Sequence, residues 1–219
     1  MGPYTCCRSI GNERKLALNR RKYKTRERKL NMSIRNPEKL KEVLSDPKRL
    51  ARAFSRHTYG MLAWVDLFGS KLKSIKDIET KTVAARIIAD NARHAKLFSD
   101  RARELGEKPE TYRPPDIGQR IYDILEEYQD PFDDFAYAWG SLIHFSSLLK
   151  VYHSVADPKS RAVIEEVQGD VNEHLYFLEK YFKTNADTPE KKRRAEEIKA
   201  IADKIYADRE DEEIKWYTS

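Results

Sequence analysis

Asp90-Asn91-Ala92-Arg93-His94 returns eighty residues later as Asp170-Val171-Asn172-Glu173-His174, and the same offset carries Tyr59-Gly60-Met61-Leu62 onto Trp139-Gly140-Ser141-Leu142. Two matches at one offset are the trace of a duplicated pair of helices. On a helix, residues four apart share a face, so Asp90 sits beside His94 and Asp170 beside His174. Antiparallel association of the two pairs predicts a pseudo-twofold four-helix bundle in which the two histidines meet across the interior.

Working outward, the helix starts are marked by a capping side chain before proline at Asn36-Pro37, Asp46-Pro47, Asp130-Pro131, Asp157-Pro158 and Thr188-Pro189. The cap satisfies orphan N–H groups, and proline at the first helical position removes a donor that had no partner. Asp77, with Glu79 in the first turn, marks a sixth start, and Gly106 can close that helix. The pattern predicts a short helix over 37–45 and long helices over 47–75, 77–105, 131–155, 158–184 and 189–217, with a small helix near 117–128 after Pro114-Pro115. Apolar residues recur at three and four, as in Tyr59, Leu62, Ala63 and Asp66 on the first long helix and Phe135, Trp139, Leu142, Phe145 and Leu149 on the third. The last helix carries only a thin stripe of Ile198, Ile201, Ile205 and Ile214, which predicts packing on the outside of the bundle or against another chain.

The fold class is therefore all-α, in three parts: an N-terminal basic arm (1–35), the bundle (36–186) and a charged C-terminal helix (187–219). The chain has 40% hydrophobic and 36% charged residues, enough apolar content for a core, with the ion-pair-rich balance seen in some thermophile proteins. Net charge is +6, yet residues 1–35 hold eleven Lys/Arg against two Glu, so the remainder is slightly acidic at −3. Any attraction to nucleic acid is thereby assigned to the arm, through Arg20, Arg21, Lys22, Lys24, Arg26, Arg28 and Lys29 around Tyr23. Cys6 and Cys7 are adjacent and have no core cysteine to join. With no long apolar run or signal-peptide core, the expectation is a soluble cytoplasmic protein without a membrane partner. No nucleophile elbow, P-loop, dinucleotide-binding turn or zinc-spaced cysteine pair is present.

The duplicated motif resembles the Asp-Glu-x-x-His signature of the ferritin-like superfamily, which includes rubrerythrin and diiron carboxylate oxygenases. The resemblance covers roughly residues 50–184. It implies a bundle holding two Fe or Mn ions through one Glu from each of the first and third long helices and a Glu-x-x-His from each of the other two. The departures are plain. Asn91 and Val171 stand at the Glu positions of the two motifs. The windows for the other two ligands, Arg56–Met61 and Ala136–Ser141, contain no Glu. Tyr59 and Trp139 occupy matched places there, and the expectation is that they, with Asn91 and Val171, fill the metals' volume. Asp90 and Asp170 resemble the family's carboxylates that orient a ligating imidazole, and with the metal lost that geometry is expected to leave two buried pairs, Asp90 with His174 and Asp170 with His94.

Two functional classes follow. The first is a non-catalytic structural or interaction module built on a degraded site, without a cofactor and with a homo-oligomeric or protein partner on the C-terminal helix. The alternative is a metal-binding oxidoreductase in which His94 and His174, helped by Asp90, Asp170, Glu173 or Asp66, hold Fe, Mn or Zn. His57, His144 and His153 match nothing in the repeat and are expected at the surface or in packing roles.

Overall fold

The computed structural model describes residues 34–219, which are helical throughout with no strand among them. The elements are α1 (Pro37–Leu44), α2 (Pro47–Lys71), α3 (Ile78–Glu104), α4 (Asp116–Glu127), α5 (Pro131–Val155), α6 (Pro158–Asn185) and α7 (Pro189–Thr218), with single 3-10 turns at Leu72–Ser74 and Pro109–Thr111. Every proline-marked start is realised. Asp46, Asp130, Asp157 and Thr188 accept hydrogen bonds from first-turn amides, as does Asp77 from Thr80. Asn36 alone makes no side-chain cap bond. Gly106 takes the left-handed conformation, φ 91°, that closes α3.

The two matched stretches of sequence fall on α2–α3 and on α5–α6, and α3 lies antiparallel to α6. The caps also tie elements together. Asp157, which starts α6, receives both of its Arg101 contacts at 3.0 Å from α3. At the opposite corner, Lys71 Nζ ends α2 on Asp134 Oδ1 of α5 (2.7 Å) and on the carbonyl of Tyr128 (2.6 Å). Across the interior, α2 meets α5 through side chains, Arg56 reaching Tyr152 at one end and Phe68 stacking near Phe135 at the other.

The C-terminal helix departs from its expectation. Instead of riding outside, α7 runs parallel to α5, touching it from Arg194–Asp133 to His144–Tyr206, and it buries Ala195, Ile198, Ala202, Ala207 and Tyr217. The stripe that suggested a partner chain is covered within the protein, apart from Ile201. Its buried face also includes Arg209, Glu210 and Glu213, and charge of that kind reads as solvated in a sequence. The arm boundary moves as well. Ile34 is buried, and the backbone N–H groups of Arg35 and Asn36 donate to Glu210 at 2.9 and 2.7 Å, so these residues belong to the folded body.

Close approach of α5 and α7 depends on Gly140, where an added Cβ would lie 2.5 Å from the carbonyl oxygen of Lys199 and 2.9 Å from Ala202 Cβ. Backbone cannot yield as a side-chain tip can. Gly140→Ala is therefore expected to lower stability by about 1–3 kcal/mol in thermal or denaturant unfolding. At Gly69 a Cβ meets nothing within 4 Å, so the helical gain of alanine should raise stability slightly. Equal stability of the two variants would show that α7 does not pack this tightly.

Candidate functional site

The interior holds two polar arrangements. The first joins α3 and α6. His94 Nε2 lies 2.8 Å from Asp170 Oδ2, and His174 Nε2 lies 3.0 Å from Asp90 Oδ2, the crossed pairing expected where no metal is bound. A carboxylate only accepts, so each Nε2 carries its proton and donates. Both histidines are buried, with ring centroids 6.4 Å apart. Arginines close the rim: Arg93 bonds Asp170 and Glu166, while Arg86 reaches Glu173 at 2.7 Å. Burial pushes the His94 pKa below its ordinary value despite the pull of Asp170. Burial would raise the Asp170 pKa, but hydrogen bonds from His94 and the charge of Arg93 outweigh it and hold the group low. One atom is left over, because the Nδ1 of His94 is buried and has no hydrogen-bond partner among the described residues.

The second arrangement surrounds a cavity of about 70 Å³ between α2, α3, α4, α5, α6 and α7. Arg56, His57, Tyr122, Ser141, His144, Tyr206 and Arg209 contribute polar groups to its wall, and Phe68, Ile87, Phe135 and Leu178 contribute apolar ones. Arg56 Nη1 pairs with Glu213 Oε1 at 2.7 Å, its Nε donates to Tyr217 at 3.0 Å, and its Nη2 reaches the Tyr152 hydroxyl at 3.3 Å. His57 Nε2 lies 2.9 Å from both Arg56 Nη2 and the Tyr152 hydroxyl. A guanidinium has no acceptor, so that nitrogen accepts and the ring is neutral. Consistently, burial pushes the His57 pKa well down, joined by the charges of Arg56 and Arg209 and by His144. His144 is pushed down to about 4, chiefly by burial, with Glu213 opposing.

Arg209 is 3% exposed and stands 2.9 Å, through Nε, from the Glu213 oxygen that Arg56 also uses. That Nε nevertheless makes no hydrogen bond, so the contact is an ion pair out of hydrogen-bond line. Two buried guanidiniums thus share one buried carboxylate.

Of the residues singled out from sequence, His94, His174, Asp90 and Asp170 come together. Asp66 is exposed, and Glu173 is exposed on Arg86, so neither joins them. The helical stripe on α2 was mis-phased: Leu62 is 48% exposed, and the inward residues are Leu50, Phe54, His57, Met61 and Phe68. For that reason Tyr59 and Trp139 do not fill the centre. Tyr59 packs on Tyr112 and Tyr122 at the α4 side, and Trp139 stacks on Phe182 at 5.0 Å under Lys199. Asn91 does line the cavity, and Val171 is buried in the core. His57 and His144 are interior, while His153 is half-buried and bonded to Glu165 at 2.8 Å. Arg20, Arg21, Lys22, Lys24, Arg26, Arg28 and Lys29 lie outside the described residues, as do Cys6 and Cys7.

The Arg56–Arg209–Glu213 cluster went unread in the sequence. Arg56 stands where the resemblance leads one to expect a ligating Glu, and Arg209 with Glu213 has the spacing of a surface helix pair. No helix among the described residues is long and apolar enough to cross a membrane. No family model, curated protein or solved structure matches this chain.

Proposed function

We propose that the protein is a divergent ferritin-like bundle in which a buried guanidinium–carboxylate–imidazole network replaces the dimetal centre, and that it acts as a non-catalytic binding module. The carrying observation is the composition of the cavity wall. Arg56, His57, Gly60 and Met61 from one ligand window, Ala138 and Ser141 from the other, and Asn91 from the first motif all line it, without a carboxylate among them.

A dimetal centre needs oxygen donors that neutralise four or more positive charges. This wall instead supplies two guanidiniums, and no three His, Cys, Asp or Glu among the described residues are placed to share an ion. The donor set does not fit two metals. The histidine–aspartate pairs are explained without them, since each ring bonds the opposite carboxylate and links α3 to α6.

Elemental analysis of protein purified without chelator is expected to find Fe, Mn and Zn far below one ion per chain, unchanged in His94→Ala and His174→Ala. One or two ions per chain that vanish in both variants would overturn the reading. A second reading, a reduced His/carboxylate site with one ion, has the unpaired Nδ1 of His94 in its favour. The same measurement decides between them.

A further inference from the structure

We propose that the central cavity binds a short-chain aliphatic carboxylate, its charged head held by Arg209 and Arg56 and its chain lying toward Phe68 and Phe135. The inference deepens the binding-module reading. Metal content tests that reading, and ligand-dependent stability tests this one.

Charge is the first argument. Arg56 and Arg209 are buried and their shared partner is Glu213, so the cluster carries one positive charge in excess, and no Asp or Glu lines the cavity. Glu210 is also buried, but it faces the backbone N–H groups of Arg35 and Asn36, and the charges that bear most on Arg209 are those of Glu213 and Arg56. A buried charge without a counter-charge is costly, and a monoanion in the cavity would balance this one. The Nε of Arg209, buried and without a hydrogen bond, is a donor in want of an acceptor at the cavity wall.

Shape and polarity identify the kind of anion. Arg56 and Phe68 are three turns apart on α2, so the lining is cationic and hydroxylic at one end and aromatic at the other. The walls are middle segments of helices, whose amides are consumed in their own hydrogen bonds, so donors come from side chains alone. That leaves no amide cradle of the kind found at helix N-termini that bind phosphate, and a dianion would overcompensate a single excess charge. A volume of about 70 Å³ is roughly half that of a cavity that holds benzene, about 150 Å³, so the anion is small, of the size of acetate.

The test is thermal unfolding of the full chain titrated with sodium acetate, with sodium chloride replaced to keep ionic strength constant. The midpoint is expected to rise saturably, by about 5–10 °C at a hundredfold excess over Kd. Acetamide, of the same shape but neutral, should give no rise. Arg209→Met should weaken the acetate response at least tenfold. Ala138→Leu keeps both arginines and fills the apolar part of the cavity, and it should abolish the response even if the first variant folds poorly. An acetate response no larger than that of chloride, an equal response to acetamide, or responses undiminished in both variants would overturn the proposal.

Discussion

Glu213→Gln is expected to destabilise the protein by about 3–5 kcal/mol, a fall in melting temperature of roughly 10 °C or more for a chain of this size. The substitution is nearly isosteric, so cavity formation contributes little. It removes the one carboxylate shared by Arg56, at 2.7 Å, and Arg209, at 2.9 Å, and leaves two guanidiniums facing each other in a dry interior. Loss of one partner of a buried ion pair costs far more than the intact pair ever contributed, because the remaining charge keeps its desolvation penalty. Here the penalty falls on two groups that also repel.

The sign reverses on the other side of the cluster. Arg209→Met leaves Arg56 and Glu213 as a balanced pair, so its expected effect lies within about 1 kcal/mol of zero or is stabilising. In the double variant, Arg209→Met should recover a good part of the Glu213→Gln loss, and the difference between double and summed single effects reports the coupling. Denaturant unfolding of the four proteins completes the cycle. A Glu213→Gln variant as stable as the parent would mean that the two arginines are not neutralised by Glu213.

The same cluster explains what could be read in the sequence and what could not. Helix starts were legible because a capping Asp or Thr before proline acts locally, within one turn, and needs no knowledge of the fold. The histidine–aspartate crossing was legible because the matched motifs carry both partners and because they resemble a metal site in which such carboxylates orient the imidazoles. Tyr59 and Trp139 were misplaced because alignment of two copies says which residues correspond, not which way they face. Leu62 and Asp66 point outward on the same helix that turns His57 and Met61 inward. Helix α7 was misread for a deeper reason. Ionisable residues are rarely buried, so Arg209, Glu210 and Glu213 argue for solvent unless their partners are known. Those partners, Arg56 and the amides of Arg35 and Asn36, come from the far end of the chain.

Buried histidines give the interior a pH dependence whose sign can be derived. His144, pushed down to about 4 by burial, stays neutral in the fold across a range where the unfolded ring takes up a proton. Its contribution is fully present above the ordinary histidine pKa near 6.5 and is lost as pH falls toward 4, an amount of about 3 kcal/mol. His57 and His94, both lowered chiefly by burial, act in the same direction. Asp134 acts in the opposite one. Burial raises it to about 6 against the pull of Lys71, so the fold takes up a proton there before the unfolded chain does, and acidification from pH 6 toward 4 returns about 3 kcal/mol. His144 and Asp134 therefore nearly cancel, and His57 and His94 decide the balance. Stability is expected to fall as pH drops from 6.5 to 4, with Asp170 and Asp157, both held below the ordinary carboxylate value, adding their losses only below that window. Melting temperatures measured across the range check this through two variants of opposite effect. His144→Gln should flatten the acid limb by about 3 kcal/mol, and Asp134→Asn should steepen it by a similar amount. A profile that rises on acidification, or that neither substitution changes, would mean that water reaches these side chains and that the interior is not the dry, cation-rich space on which the arginine cluster and its carboxylate ligand both depend.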